Sequence, residues 1–203
     1  MTLTKEKRDS LSPHEALNML KEGNNRFVTN LKVNRNLLKQ ANETIDGQHP
    51  FAFILSCIDS RTSAELIFDQ GLGDILSCRI AGNVLNEDIL GSMEFATQIS
   101  GVKLIMVLGH SDCGAIKGAC NNVKMGHFTG LLKKIRAVIN DLGDSVPDEQ
   151  SSEYLELISQ ENVKNVLRQI PQKSVIVNNL IKEQKIILVG AMYDLSSGKV
   201  DFY

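Results

Sequence analysis

Short apolar runs alternate along the chain with segments of helical periodicity, and this pattern predicts an α/β fold. Four apolar runs have the length of buried strands and are bounded by glycine, proline or charged residues: 51–57, 74–78, 102–108 and 185–191. Helical spacing is found over 63–70, 87–100, 113–121 and a longer stretch from about 127 to 183, with breaks expected near 143–152 and at Pro171. Such alternation predicts a mostly parallel central sheet flanked by helices on both faces.

The two ends of the chain differ from this central pattern. Residues 11–28 have apolar positions at helical spacing, and we expect this N-terminal helix to pack on a partner subunit. Residues 193–202 indicate a turn followed by a short antiparallel C-terminal edge strand. We therefore predict a single domain over 1–203, with an N-terminal helical arm at 1–45 and an α/β core at 46–203.

Composition narrows the class of protein. The 203 residues are 42% apolar with a formal net charge of −2, which is enough for one sizeable core and gives no basic stripe for nucleic acid. The apolar runs are far shorter than the roughly 20 residues that cross a bilayer, so we expect no membrane partner. The first ten residues are polar and charged, without the apolar stretch of a secretory signal, and this favours the cytoplasm.

Two of the predicted strands are followed by metal-binding residue types. Four cysteines are too sparse for a disulfide scaffold, but Cys57 ends the first apolar run while His110 and Cys113 follow the third. Carboxyl ends of parallel strands meet at one edge of an α/β sheet, so these three side chains are expected together. Three protein ligands leave one coordination position open, which is typical of a catalytic zinc site with one ion per subunit.

Neighbouring residues add to the predicted site. Asp59 and Arg61 lie in the loop after Cys57, and Gly109 is expected to let the chain turn just before His110. Gly114 is expected to give close backbone approach to the substrate. A helix that begins near Cys113 would present its positive N-terminus to the thiolate and favour the metal-binding form.

A non-catalytic interpretation remains open at this point. A single cysteine is more often a small buried apolar residue than a ligand, and an Asp–Arg pair is more often a simple salt bridge. Cys78 ends the second predicted strand, so Cys57, Cys78, His110 and Cys113 could form a closed Cys3His structural zinc site. That arrangement would leave Asp59 and Arg61 with a supporting role only.

Three segments resemble the β-class carbonic anhydrases of bacteria in order and separation. They are Cys-Ile-Asp-Ser-Arg at 57–61, Arg-Ile-Ala-Gly-Asn at 79–83 and Gly-His-Ser-Asp-Cys-Gly-Ala at 109–115, and the resemblance extends from about Glu15 to Phe202. It implies a zinc-dependent lyase (carbonate dehydratase) in which zinc-bound hydroxide attacks carbon dioxide to give bicarbonate and a proton. It implies zinc binding by the two cysteines and His110.

The same resemblance implies roles for further residues and an oligomer. Asp59 and Arg61 form a catalytic dyad in which Arg61 keeps the carboxylate of Asp59 away from the metal, and we predict this open form at neutral pH. Gln48 and Gly114 bind substrate, Gln48 across a subunit interface, so a homodimer or homotetramer is expected. Leu76 replaces an aromatic residue of many relatives, and hydrolysis of carbonyl sulfide or carbon disulfide at the same site is the alternative reaction.

Overall fold

A five-stranded sheet forms the centre of the protein. The computed structural model describes residues 2–143 and 151–203. The strands lie in the order β2-β1-β3-β4-β5, with β1 to β4 mutually parallel and β5 antiparallel to β4. Their bounds are β1 Ala52–Ser56, β2 Ile75–Arg79, β3 Leu104–His110, β4 Ile187–Tyr193 and β5 Val200–Phe202. The predicted fold class is confirmed, including the short antiparallel edge strand.

Helices connect and cover the strands. In the described ranges they are α1 Lys5–Ser10, α2 Pro13–Val28, α3 Leu37–Glu43, α4 Ala64–Ile67, α5 Glu87–Gln98, α6 Gly114–Cys120, α7 Gly126–Leu142, α8 Ser152–Lys173 and α9 Val175–Lys182. None of these helices is both long and apolar enough to cross a membrane. The predicted break near 143–152 falls mostly outside the described residues, between the end of α7 and the start of α8.

Side-chain caps explain where several helices begin. Ser12 accepts a hydrogen bond from the backbone of Glu15, and the carboxylate of Glu15 accepts one from the backbone N–H of Ser12, which forms a complete capping box. Asn36 and Asn86 cap α3 and α5 in the same way through their side-chain oxygens. Each cap satisfies an N–H group that the first turn of a helix leaves without a partner.

The sheet separates two apolar layers. Ala52 and Ile54 of β1 face the layer covered by α2 and α4, while Phe53 and Leu55 face the layer covered by α5, α8 and α9. Because both faces are covered, β1 and β3 are buried at every position and are read in the sequence as continuous apolar runs. A third cluster, formed mainly by α6, α7 and the start of α8, closes around Cys57 and Cys113.

The expected break at Pro171 is wrong. Helix α8 continues through Pro171 to Lys173, and the backbone N–H of Ser174 still donates to the carbonyl of Ile170 at 3.0 Å. Burial of Ile170 holds this last turn against the core although the proline nitrogen cannot donate a hydrogen bond. The break comes at Ser174, which is extended and whose hydroxyl caps α9 by accepting from Val177 at 3.1 Å.

Helix α4 is shorter than the predicted 63–70. It ends at Ile67, and Asp69 adopts a left-handed φ of 45°. The carboxylate of Asp69 is buried and accepts hydrogen bonds from Arg26 and Arg35 and from the backbone N–H of Val33. These three contacts fix the end of α4 against the last turn of α2 and the segment that follows it.

Gly109 does not turn the chain. It lies inside β3, opposite Met192 of β4, and the strand runs on to His110. A Cβ at this position would lie 2.5 Å from the sulfur of Met192 and 2.7 Å from Cγ2 of Val163. The glycine is therefore required by the close packing of α8 on the sheet, and the expected conformational role is wrong.

The N-terminal helix α2 packs on its own chain. Ala16 and Leu20 are fully buried in the apolar layer shared with β1 and β3. Several apolar side chains are instead exposed in the segment after it, among them Leu31, Leu38 and Ile45. The inner face of α2 is therefore occupied by its own chain, and the predicted contact of the arm with a partner subunit is left to its exposed parts, such as this later segment.

The topology determines where a site can form. The chain leaves β1 toward β2 on one side and continues toward β3 on the other, so the strand order reverses between β1 and β3. Reversal opens a crevice beyond the carboxyl ends of these two strands. Cys57 directly follows β1, His110 ends β3, and Cys113 begins the turn into α6, so all three candidate ligands lie at this crevice.

Candidate metal centre and active site

Cys57, His110 and Cys113 form one buried group of donor atoms. Their ligand atoms all lie within 4.8 Å of one another, and the two sulfur atoms are 3.9 Å apart. Zinc–sulfur bonds of about 2.3 Å in tetrahedral geometry place two sulfurs about 3.8 Å apart. The donor set therefore fits a zinc ion and leaves the fourth coordination position for water or substrate.

The ring of His110 is oriented for metal binding. Its Nδ1 lies 2.8 Å from the carbonyl oxygen of Ser111, and because a carbonyl only accepts, Nδ1 carries the proton. Nε2 is buried without a hydrogen-bond partner among the described residues. Ser111 is itself held by β4, since its N–H donates to the carbonyl of Tyr193 at 3.0 Å and its hydroxyl accepts from Leu195. The lone pair of Nε2 is thereby left for the metal.

A tight turn supports the sulfur of Cys57. The backbone N–H of Gly82 points to this sulfur at 3.4 Å, and Gly82 has a positive φ of 66°. A Cβ there would lie 2.7 Å from Cδ1 of Ile135, so both conformation and space require glycine. Asn162 of α8 donates to the carbonyl of Gly82 at 2.8 Å. Sequence reasoning missed Asn162 because nothing in the helical pattern of α8 indicates this contact.

The two thiols of the site have pKa values shifted in opposite directions. The hydrogen bond from Cys113 lowers the pKa of Cys57 to about 4, and the same contact, together with burial, raises the pKa of Cys113. Burial alone would lower the pKa of His110, but the nearby thiol of Cys57, the carbonyl of Ser111 and the carboxylate of Asp59 outweigh it and the net shift is upward. A cation that displaces these protons would stabilise both thiolates and the neutral imidazole, so binding is expected to release protons.

Asp59 and Arg61 form a bidentate ion pair beside the donor group. Nε of Arg61 lies 2.9 Å from one carboxylate oxygen of Asp59, Nη2 lies 2.8 Å from the other, and the backbone N–H of Arg61 donates to the first at 2.9 Å. These bonds from Arg61 hold the pKa of Asp59 well below its usual range. The carboxylate is therefore ionised and faces the guanidinium, and the open form at neutral pH stays a prediction.

Arg79 of β2 supports the loop that carries the dyad. Its guanidinium donates to the carbonyl of Cys57 at 2.9 Å and to that of Asp59. The hydroxyl of Thr62, which is buried, also donates to the carbonyl of Asp59 at 2.9 Å. The polar groups of this loop are thus fixed from β2 and from within the loop itself, so the dyad is built on a rigid support.

The two predicted substrate-binding residues lie in different places. Gly114 is the first residue of α6, directly after Cys113, and a Cβ there would meet no heavy atom within 4 Å. Gln48 is exposed in the loop before β1, whereas Cys57 follows β1. Five strand residues span about 17 Å. The chain therefore does not bring Gln48 to its own metal site.

Cys78 is not part of the metal-binding group. Among the described residues, the candidate metal group contains only the two cysteines and His110. Cys78 lies opposite Leu55 in the sheet and packs against the apolar layer on the α5 side, where burial raises its pKa. The closed Cys3His site considered from the sequence is therefore not favoured, because Cys78 is partly buried against the apolar layer on the α5 side and does not join the metal donors.

Comparisons with known proteins agree with this geometry. A family model described as carbonic anhydrase matches residues 52–200. Carbonic anhydrase 2 of Mycobacterium tuberculosis is 33% identical over 197 residues, which cover 93% of this chain and 91% of that protein.

Solved structures give the same result for the fold. The β-carbonic anhydrase CafA of Aspergillus fumigatus has a TM-score of 0.73 at 25% identity and covers 94% of this chain and 89% of its own. A structure from a study of two tetrameric β-carbonic anhydrases of Sordaria macrospora has a TM-score of 0.74 at 23% identity, covering 80% and 84% of the two chains. From its matched family model, its relatives and its sheet topology, the chain belongs to the β-class carbonic anhydrase family.

Proposed function

We propose that this protein is a zinc-dependent carbonic anhydrase, a lyase that catalyses the reversible hydration of carbon dioxide to bicarbonate and a proton. The observation that carries the proposal is the buried group of two sulfurs and one imidazole nitrogen within 4.8 Å, since three protein donors on a four-coordinate zinc would leave one position for water or substrate. Membership of the carbonic anhydrase family supports the same reaction.

The metal would be held by the three buried donors. Cys57 and Cys113 would bind through Sγ and His110 through Nε2, with one ion per chain. When bound, zinc lowers the pKa of a coordinated water, as it does in the three-histidine carbonic anhydrases, and so supplies the nucleophile. Because two thiolates offset the formal charge of the ion, we expect this effect to be weaker here and activity to be better on the alkaline side.

Asp59 would orient the attacking group. Its carboxylate is ionised and fixed by two bonds to Arg61, so it accepts a hydrogen bond from the nucleophile instead of removing its proton. Fixing one hydrogen bond leaves a lone pair directed toward the carbon of the substrate. Arg61 contributes by holding Asp59 in this orientation and away from the metal position.

We further propose that the functional unit is a homodimer or homotetramer. Gln48 lies at the far end of β1 from its own metal donors, so it would reach substrate only in a partner subunit. The exposed apolar side chains of Leu31, Leu38 and Ile45, all more than 70% exposed, would be covered in such an assembly. The related structure from Sordaria macrospora is described as tetrameric.

The donor chemistry favours a reducing compartment. Cys57 and Cys113 must remain thiols to bind the metal, and their sulfurs are 3.9 Å apart, close enough for oxidation to compete with binding. The cytoplasm keeps such pairs reduced, which supports the proposed cytoplasmic location.

Metal removal tests the proposed reaction. Purified protein should contain about one zinc per chain, and its carbon dioxide hydration should fall with zinc content during chelator dialysis and return on readdition. Turnover of carbonyl sulfide measured in the same preparation decides between the two substrate classes. Zinc-loaded protein that turns over carbonyl sulfide but not carbon dioxide would contradict the proposal. Nothing in the described residues favours the sulfide reaction over hydration.

A further inference from the structure

Arg61 lies between two carboxylates, of which the proposed mechanism uses only one. Its Nη2 bonds to Asp59 at 2.8 Å and is also 3.9 Å from Oδ2 of Asp112. The other oxygen of Asp112 is paired with Nζ of Lys117. Negative and positive side chains therefore alternate along the series Asp59, Arg61, Asp112 and Lys117, which joins the loop after β1 to the turn after β3 and to α6.

The backbone fixes the position of Asp112. It lies between His110 and Cys113 and has a positive φ of 59°, a conformation that aspartate, asparagine and glycine tolerate best. The neighbouring residues are held in turn, since Ser111 is bonded to β4 and Cys113 begins α6. The carboxylate of Asp112 is thus presented to Arg61 from a rigid support.

We propose that Asp112 is a positioning residue that holds the guanidinium of Arg61 in the orientation that fixes Asp59. This inference rests on the proposed function, in which Asp59 orients the nucleophile. The attraction acts on Nη2, the same nitrogen that binds Oδ2 of Asp59, and so opposes rotation of the guanidinium out of the pair. Asp59 chiefly, and Asp112 with it, raise the pKa of Arg61.

The size of this effect follows from exposure. Arg61 and Asp112 are both about half exposed, and ion pairs in such surroundings contribute little because water screens them. A change of about two- to fivefold in kcat/KM is expected when the charge of Asp112 is removed. Salt should reduce that change, since the screening length falls to about 3 Å at 1 M.

The competing explanation is a structural role for Asp112 alone. In that case the pair of Asp112 with Lys117 would stabilise α6, and the orientation of the Arg61 guanidinium would not depend on either residue. Removing either partner of the pair would then have the same consequence. Under the proposal the consequences differ, because Lys117 pairs with Asp112 and its removal leaves the charge of Asp112 in place beside Arg61.

Three variants separate the two explanations. Asp112→Asn keeps the shape and tolerates the left-handed backbone, so it removes only the charge. Lys117→Met removes the partner of Asp112 in the ion pair on α6. Glu183→Gln is the charge control: it changes the net charge as Asp112→Asn does, but in an exposed pair with Lys185. Asp112→Asn should lower kcat/KM by about two- to fivefold at low salt with zinc content and Tm unchanged. The other two should stay within about twofold of wild type.

A direct readout on Arg61 makes the test independent of turnover. The rotation rate of its guanidinium, measured by NMR on the zinc-loaded protein, should rise in Asp112→Asn and stay at the wild-type rate in Lys117→Met. An unchanged rate in Asp112→Asn, or equal losses of activity in Asp112→Asn and Lys117→Met, would overturn the inference. If the wild type failed to hydrate carbon dioxide, the proposed function would fail while the NMR comparison still decided the role of Asp112.

Discussion

At the scale of single residues, the site depends on how neighbouring groups limit the freedom of each functional side chain. Arg61 binds both oxygens of Asp59, the carbonyl of Ser111 fixes the proton on Nδ1 of His110, and Gly82 directs an N–H toward Cys57. Neighbouring groups thus restrict the orientation of Asp59, His110 and Cys57 before any metal or substrate binds. A site prepared in this way loses little entropy when metal or substrate binds.

Replacement of Asp59 or Arg61 is the simplest test of this preorganisation. Asp59→Asn keeps the size of the side chain but cannot accept hydrogen bonds with a charged oxygen, so kcat/KM should fall by about 100-fold. Arg61→Lys, which loses the bidentate contact with Asp59, should lower kcat/KM by a smaller factor. Stopped-flow hydration and metal analysis of both variants would check this. An Asp59→Asn enzyme as active as wild type at equal zinc content would contradict the role of Asp59.

At the scale of elements, packing between elements decides several details for which the sequence-based prediction was wrong. Burial of Ile170 carries α8 past Pro171, and the left-handed Asp69 ends α4. Gly109 is required where α8 lies close to the sheet. These features involve partners distant in sequence.

The buried carboxylate of Asp69 should make stability depend on pH. Burial would raise the pKa of Asp69, but the hydrogen bonds from Arg26, Val33 and Arg35 lower it. A lowered folded-state pKa means that the stabilisation is fully present above the unfolded pKa of about 4 and is lost as pH falls through the folded value. Asp69→Asn keeps the left-handed backbone and should cost about 3 kcal/mol at pH 7.

Denaturant unfolding at several pH values would check this expectation. The difference in the free energy of unfolding between wild type and Asp69→Asn should be constant at neutral pH and shrink below about pH 4. A difference that grew on acidification would show that the sign is wrong.

Gly109→Ala should destabilise the protein by overpacking. The added methyl group would lie 2.5 Å from the sulfur of Met192, and overpacking of this kind costs about 1–3 kcal/mol. Gly91→Ala is the matched control, because Gly91 lies within α5 with no heavy atom within 4 Å of the added carbon. It should stabilise by up to about 1 kcal/mol. Thermal unfolding of the two variants would reveal any departure from these opposite signs.

Much of the fold and the metal group could be predicted because their signals are local. β1 and β3 are buried throughout, so their apolar runs show directly in the sequence, and Cys57, His110 and Cys113 follow the ends of these strands. The contact of Asn162 with Gly82 could not be predicted, since it joins residues 80 positions apart. The position of Cys78 along β2 predicts that it lies near the site, but its partly buried side chain packs against the apolar layer on the α5 side.

At the scale of the whole molecule, the central question is whether one subunit completes the site of another. Gln48 lies at the opposite end of β1 from Cys57, and the exposed apolar segment after α2 has no cover within the described residues of its own chain. Symmetric assemblies of identical chains would place two such segments in equivalent positions. Activity and assembly are therefore expected to be lost together.

Mixing two defective variants tests the contribution of Gln48 across an interface. Gln48→Ala and Asp59→Asn should each be weakly active alone. In a hybrid dimer, the Gln48→Ala subunit keeps an intact metal site and receives Gln48 from the Asp59→Asn subunit. After random exchange half of the dimers are hybrids with one good site of two, so activity should rise to about a quarter of wild type. A mixture no more active than the mean of its parents would show that Gln48 does not act in this way.

The most direct test of the proposed function is carbon dioxide hydration by stopped flow at about pH 8.5, on protein with verified zinc content and with Cys57→Ser alongside. We expect rapid hydration by the wild type and its disappearance in the variant, which loses one of the three buried donors. Wild-type protein that carries one zinc per chain and does not hydrate carbon dioxide would contradict it.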